Sequence, residues 1–243
     1  MNKRGQVTIF IIIAVIIVVG GILFFVLSKS GIGREVINKN IVPINDFVLD
    51  CLEETGNNAL IDVGTKGGYA FLNEDIESVE NIPYYLKYNR KLIPTKEFIE
   101  NEISLIVREE LSYCILNFKD LRKDYDGITH DINRVETTIL DDKVNIKLNY
   151  PISVIKGEST YNIENFNLDF DVRLDDYYSI SEEFISEQQR HLDSICLSCL
   201  YGVSEEYDVD FDMYDYGDST IITIIDEKYK LNEGPYEWRF AIL

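Results

Sequence analysis

Residues 144–154 read VNIKLNYPISV, in which apolar and polar side chains alternate along the chain. Successive side chains of a strand point to opposite faces of a sheet, so this pattern predicts a strand with one buried face. The alternation continues over 161–174 with a slip near Asn165, which indicates a β-bulge. With a further strand expected at 135–140, this part of the chain predicts a three-stranded antiparallel meander.

Helical patterns and a second group of strands surround this meander. Helices are expected at 43–63, 95–118 and 179–201, and further strands at 69–72, 207–214, 219–225 and 236–242. Pro43 suits a first helical turn, Thr95 is a good N-cap, and Ser179 with Glu182 fits a capping box. The stretch 73–94 is expected to be irregular.

These elements predict an α+β fold, in which helices pack on antiparallel β-meanders. The order helix, meander, helix, meander is also compatible with two α-βββ units, at 44–178 and 179–243. Residue identities repeat poorly between the two halves, so this duplication rests on the order of elements alone.

An apolar segment at the N-terminus predicts a membrane anchor. Val7–Leu27 is 21 residues long and carries no charge, and about 20 apolar residues suffice to cross the hydrocarbon core as a helix. We therefore expect a transmembrane anchor over 1–30, a linker over 31–43 and a globular domain over 44–243. The lipid bilayer is the partner of residues 7–27, and the domain is expected on the extracytoplasmic side.

The charge of the chain is concentrated in this domain. Residues 1–34 hold four bases and no acid, so the rest of the chain carries all 43 acids against the remaining 19 of the 23 bases. Such a surface repels phosphate groups, which argues against nucleic acid as a ligand. It is compatible with cations or basic partners, or with acidity that serves only solubility.

The four cysteines predict disulfide bonds, since an even number suits an extracytoplasmic domain. They are Cys51, Cys114, Cys196 and Cys199. The leading connectivity joins Cys51 to Cys114, which lie on the apolar faces of the first two predicted helices. Unpaired buried thiols are the alternative.

The sequence Cys196-Leu197-Ser198-Cys199 is a CxxC motif, which can also serve redox chemistry or bind a metal. It falls late in the helix expected at 179–201, where the helix dipole disfavours a thiolate. That placement favours a structural disulfide or core packing over redox chemistry. A zinc site needs two more ligands, and only His191 lies nearby, because His130 is far away in sequence.

Other chemical motifs are weak. Asp208, Asp210 and Asp212 alternate with apolar residues, as on a solvated strand face, and Met213 and Ser219 replace the Gly and Glu of a calcium-binding EF-hand loop. Two histidines and many scattered carboxylates single out no acid–base pair. We therefore assign no catalytic residue, metal or cofactor.

Lys3-Arg4-Gly5-Gln6-Val7-Thr8 before an apolar helix resembles the class III signal peptide of archaeal type IV pilin-like proteins. The resemblance implies cleavage after Gly5, which would make Gln6 the mature N-terminus. It covers about the first 30 residues. Many pilins carry Glu at the fifth mature position, where it helps to register subunits in a filament, and this chain departs from them with Phe10.

A second set of residues resembles an uncharacterised group of archaeal membrane-anchored proteins with the same N-terminal helix. The residues are Phe47-Val48, Cys51-Leu52, Gly67-Gly68-Tyr69, Ile82–Leu86 and Cys114. This resemblance implies architecture and placement, and no activity.

The sequence therefore predicts a single-pass membrane-anchored surface protein whose extracytoplasmic domain binds a protein partner, forms a homo-oligomer or has a structural role. A type IV pilin-like subunit, processed after Gly5, is one alternative. An extracytoplasmic thiol–disulfide protein that uses Cys196 and Cys199 is another.

Overall fold

Strands and amphipathic helices build an α+β fold, which is the predicted class. The computed structural model describes residues 39–191, 194–231 and 234–243 of the protein. The α-helices of these residues are α1 (Val42–Thr65), α2 (Lys96–Ile115), α3 (Leu174–Gln188) and α4 (Leu197–Tyr207). The strands are β1 (Ser78–Val79), β2 (Ile82–Lys87), β3 (Arg90–Lys91), β4 (Gly127–His130), β5 (Arg134–Ile139), β6 (Val144–Lys156), β7 (Ser159–Phe170), β8 (Asp210–Tyr216), β9 (Ser219–Leu231) and β10 (Gly234–Ile242).

The smaller sheet contains the predicted meander. Antiparallel β5, β6 and β7 follow one another, and β4 pairs with the other end of β6. Asn149 pairs with Asn165 and Ile152 pairs with Ile163, so β6 has one residue more than β7 at the predicted slip. β7 ends at Phe170, earlier than expected, because the chain turns there into α3.

The larger sheet has the order β1-β2-β10-β9-β8, with β3 beside β2. β8, β9 and β10 form the second predicted meander, and β2 runs parallel to β10. The expectation that 73–94 is irregular is wrong, because β2 lies inside this stretch. Its residues are buried on both faces, so they show no alternation that could reveal a strand.

The predicted strand at 69–72 is also absent. The backbone N–H of Ala70 donates instead to the Glu102 carboxylate of α2, at 2.7 Å. Gly67 and Gly68, both with positive φ, turn the chain sharply after α1 and direct it toward α2.

The first two helices agree with the sequence patterns, and the third does not. Pro43 lies in the first turn of α1, and the Thr95 side chain caps α2 by accepting from the Phe98 N–H. The predicted helix at 179–201 is instead two helices, α3 and α4. Ser179 lies inside α3, which begins at Leu174, so the proposed capping box is wrong.

The elements of residues 40–243 form one compact unit. α1 packs on α2, β7 and β10, and thereby connects the two sheets. Because β2 pairs with β10, strands from both proposed α-βββ halves share one sheet, and the 178/179 boundary falls inside α3. Among the residues that the structure describes, no helix is long and apolar enough to cross a membrane.

Candidate functional site

The CxxC motif begins helix α4. Cys196 is the N-cap residue of α4 and forms a disulfide with Cys199 in the first turn. The expectation that this motif falls late in a helix is therefore wrong. Ile195 and Cys199 follow the apolar residues of α3 at helical spacing. The sequence pattern therefore predicted one helix where the structure has two.

Packing explains this placement. Cys196, Leu200 and Val203 form the buried face of α4, and Cys199 is half-buried. The backbone N–H groups of Cys199 and Leu200 both donate to the Cys196 carbonyl, which starts the helix at the cysteine. A helix N-terminus favours negative charge, so this position suits a thiolate better than the expected one.

The side chain of Gln188 forms hydrogen bonds with three backbone groups near the motif. Its Nε2 donates to the carbonyls of His191 and Ser194, at 2.8 and 3.0 Å, and its Oε1 accepts from the Cys196 N–H at 2.8 Å. Gln188 is only 6% exposed, so these three hydrogen bonds satisfy its buried side-chain amide. Its spacing indicated a buried helical position, but only the structure shows what it binds.

His191 lies next to the two cysteines. An imidazole nitrogen of His191 and the sulfur atoms of Cys196 and Cys199 all lie within 4.8 Å of one another. Gln188, His191, Ser194 and Ile195 also line one side of a cavity of about 210 Å³, whose other side includes Asp218 and Thr220. The motif is thus next to a potential metal ligand, His191, which also lines a small cavity with polar and apolar walls.

The second disulfide joins Cys51 of α1 to Cys114 of α2. The prediction of disulfide bonds is confirmed, and this pairing is the one placed first by the sequence. Cys51 is buried between the helices, and Val48, Leu52, Val107 and Leu111 of the same two helices are buried as well. This bridge links the two packed helices α1 and α2 covalently.

His130 lies in the smaller sheet, apart from the CxxC motif. The Tyr150 hydroxyl is 2.8 Å from its Nδ1, and the Phe118 ring packs edge-on against its ring. Burial lowers the pKa of His130, and the Arg122 charge adds to this effect. The Tyr150 hydroxyl and His130 Nδ1 form a hydrogen bond whose direction is set by the His130 tautomer.

The aspartates of and around β8 are exposed to solvent, as the sequence indicated. Asp208 forms an ion pair with Lys228, and Asp215 accepts a hydrogen bond from the Thr220 hydroxyl at 2.8 Å. β8 is an edge strand of the larger sheet, and it also exposes Met213, Tyr214 and Tyr216.

One buried ion pair was not predicted. Asp226 of β9 is fully buried, and its carboxylate accepts from Arg173 at 2.6 Å and from the Tyr177 hydroxyl at 3.0 Å. Arg173 also donates to the carbonyls of Tyr207 and Asp208. Nothing in the sequence distinguishes Asp226 from the other acids of this chain. The network ties α3, the end of α4 and β9 together.

The processing residues Gly5 and Gln6 and the anchor over 7–27 lie outside the described residues. No protein-family model, curated protein or solved structure matches the chain.

Proposed function

We propose that the chain is a single-pass membrane-anchored surface protein, held by residues 7–27, with an extracytoplasmic domain that has a binding or structural role. The observation that carries this proposal is that all four cysteines of the domain form disulfides. Disulfides persist in oxidising compartments, outside the cytosol. A domain that follows a 21-residue uncharged segment reaches such a compartment by crossing the membrane.

The edge of the larger sheet supports a binding role. β8 exposes Tyr214 and Tyr216, which are 62% and 45% accessible, and within the described part of the chain this strand pairs only with β9. Tyrosine is enriched in protein interfaces, and an unpaired strand edge can accept a strand from a partner. A protein partner or a second copy of the chain fits this surface better than an anion does.

Alkaline carbonate extraction tests the anchor. We expect the full-length protein to stay in the membrane pellet, and the double variant Ile13→Arg/Ile17→Arg to be released, because each central charge costs about 3 kcal/mol of insertion. The control Ile32→Arg, in the linker, should stay in the pellet. Release of the wild-type protein together with peripheral proteins would contradict the anchor.

Residues 3–8 support one alternative, a type IV pilin-like subunit processed after Gly5. Mass spectrometry of the mature N-terminal peptide tests it. A start at Gln6 would favour pilin-like processing and direct attention to filaments. A start at Met1 would leave an uncleaved anchor and exclude this alternative.

The first turn of α4 supports the other alternative, an extracytoplasmic thiol–disulfide protein that uses Cys196 and Cys199. This alternative expects a mild dithiol to reduce Cys196–Cys199 in the folded protein while Cys51–Cys114 stays oxidised. Thiol alkylation followed by peptide mapping measures both pairs. A Cys196–Cys199 pair that resists every reductant until the domain unfolds would exclude redox chemistry there.

A further inference from the structure

We propose that reduction of the Cys196–Cys199 disulfide creates a zinc site formed by Cys196, Cys199 and His191. Two sulfur donors and one imidazole nitrogen converge there within 4.8 Å. This inference concerns the chemistry of one loop and is independent of the membrane anchor.

The donors need only small movements to bind zinc. Zinc holds thiolate sulfur at about 2.3 Å and imidazole nitrogen at about 2.0–2.1 Å in tetrahedral geometry, which places donors about 3.5–3.8 Å apart. After reduction, rotation of the two cysteine side chains separates the sulfur atoms to this distance. His191 is exposed, so its ring can rotate toward them without disturbing the core.

Hydrogen bonds to the backbone position the donors. The buried Gln188 amide binds the His191 carbonyl and the Cys196 N–H, so it sets the position of the histidine relative to the first cysteine. The first turn of α4 sets the second cysteine, three residues later. This two-residue separation is typical of cysteine pairs in zinc sites.

Local and global charge both favour a cation there after reduction. The N-terminus of α4 stabilises two thiolates, and the strongly acidic domain attracts cations to its surface. Two thiolates, one neutral imidazole and Zn²⁺ together carry no net charge. With three protein donors, the fourth position is left to a water molecule.

The chemistry balances with an external dithiol as reductant. The dithiol gives two electrons and two protons to the Cys196–Cys199 bond and becomes a disulfide itself. The two thiols of the protein then lose one proton each when Zn²⁺ binds. Oxidation of the cysteines by an external disulfide reverses these steps and releases the metal.

Zinc titration of the full-length protein in detergent tests the proposal. The protein is reduced with a phosphine, Zn²⁺ is added against a chromophoric chelator, and native mass spectrometry counts the bound ions. We expect one tightly bound ion per reduced chain and none per oxidised chain. His191→Ala should weaken binding by at least about tenfold. His130→Ala, which changes the other histidine of the sequence, should bind zinc like the wild type.

The double variant Cys196→Ser/Cys199→Ser distinguishes zinc bound at this site from zinc bound by the other cysteine pair. Any zinc that this variant binds after reduction belongs to Cys51 and Cys114, and we expect none. Circular dichroism confirms that each variant is folded. The proposal is overturned if the folded, reduced wild type binds no zinc, if Cys196–Cys199 cannot be reduced without unfolding, or if either variant at the site binds like the wild type. None of these results affects the carbonate test of the anchor.

Discussion

At the scale of residues, the buried ion pair between Arg173 and Asp226 is expected to contribute to the stability of the fold. Arg173 is the cation that faces the fully buried Asp226 carboxylate. Arg173→Ala leaves that charge with two uncharged donors, the Tyr177 hydroxyl and the Lys228 backbone N–H. Because no cation then faces the buried carboxylate, we expect the unfolding free energy to fall by about 3–5 kcal/mol. Urea denaturation at pH 7 with both disulfides intact measures this change.

Arg190→Ala is the matched control for this substitution. Arg190 pairs with Glu187 in solvent, where its side chain is 71% exposed, so the change should be within about 0.5 kcal/mol. Equal effects of the two substitutions would show that the Arg173–Asp226 pair does not stabilise the fold.

His130 predicts a pH dependence of stability. Burial lowers its pKa in the folded protein, whereas in the unfolded chain histidine takes up a proton near pH 6.5. Below about pH 6.5 the unfolded state therefore binds more protons, so stability falls as pH falls and is fully present above this pH. His130→Gln should make the dependence shallower between about pH 7 and 5. Urea midpoints across this range measure it, and an unchanged slope would count against the buried neutral imidazole.

At the scale of elements, the two disulfides are expected to contribute unequally to the free energy of unfolding. Cys51–Cys114 closes a loop of 63 residues between α1 and α2, whereas Cys196–Cys199 closes one of three residues at the start of α4. In the loop-entropy account, Cys51→Ala/Cys114→Ala should cost about 4 kcal/mol and Cys196→Ala/Cys199→Ala about 2 kcal/mol or less. Denaturant unfolding of both double variants checks this order, and the reverse order would contradict it.

Gly56 of α1 packs closely against the smaller sheet. A Cβ atom there would lie 2.2 Å from the ring of Phe170 in β7. Gly56→Ala should therefore destabilise by about 1–3 kcal/mol, although alanine favours a helix. Gly202→Ala in α4 is the control, because nothing lies within 4 Å of its Cβ, and it should stabilise by about 0.5–1 kcal/mol. Thermal unfolding compares the two, and a stabilising Gly56→Ala would disprove the close packing.

The same elements show what the sequence could predict. β6 was found because one of its faces meets the core, and the alternation of apolar and polar residues along its sequence records this. β2 was missed because the core covers both of its faces, and its parallel pairing with β10 joins residues too distant for any local pattern. The break between α3 and α4 was hidden because the apolar spacing continues across it.

The candidate site shows the same limit. Its cysteines and His191 were identified from the sequence, but their position at a helix start was not, and neither was the role of Gln188. Local spacing predicts which residues are buried; it does not predict which backbone groups a buried amide will bind. This matters here, because the position at the start of α4 decides whether the cysteine pair suits redox and metal chemistry.

At the scale of the whole molecule, the account depends on the side of the membrane that the domain occupies. An acidic, disulfide-bonded domain behind an apolar segment is consistent with a surface protein. The same domain in the reducing cytosol would meet thiol reductants that act on both cysteine pairs. The side of the membrane on which the domain lies therefore determines whether Cys196 and Cys199 form a disulfide or are reduced to thiols.

The most direct measurement is the labelling of intact cells with a membrane-impermeant amine reagent, followed by peptide mapping. Lys119 and Lys123 are exposed on the domain and report its location, and an abundant cytosolic protein is the control for leakage. We predict that both lysines are labelled in intact cells while the control stays unlabelled. Labelling of Lys119 and Lys123 only after the cells are lysed would place the domain in the cytosol and contradict the proposed function.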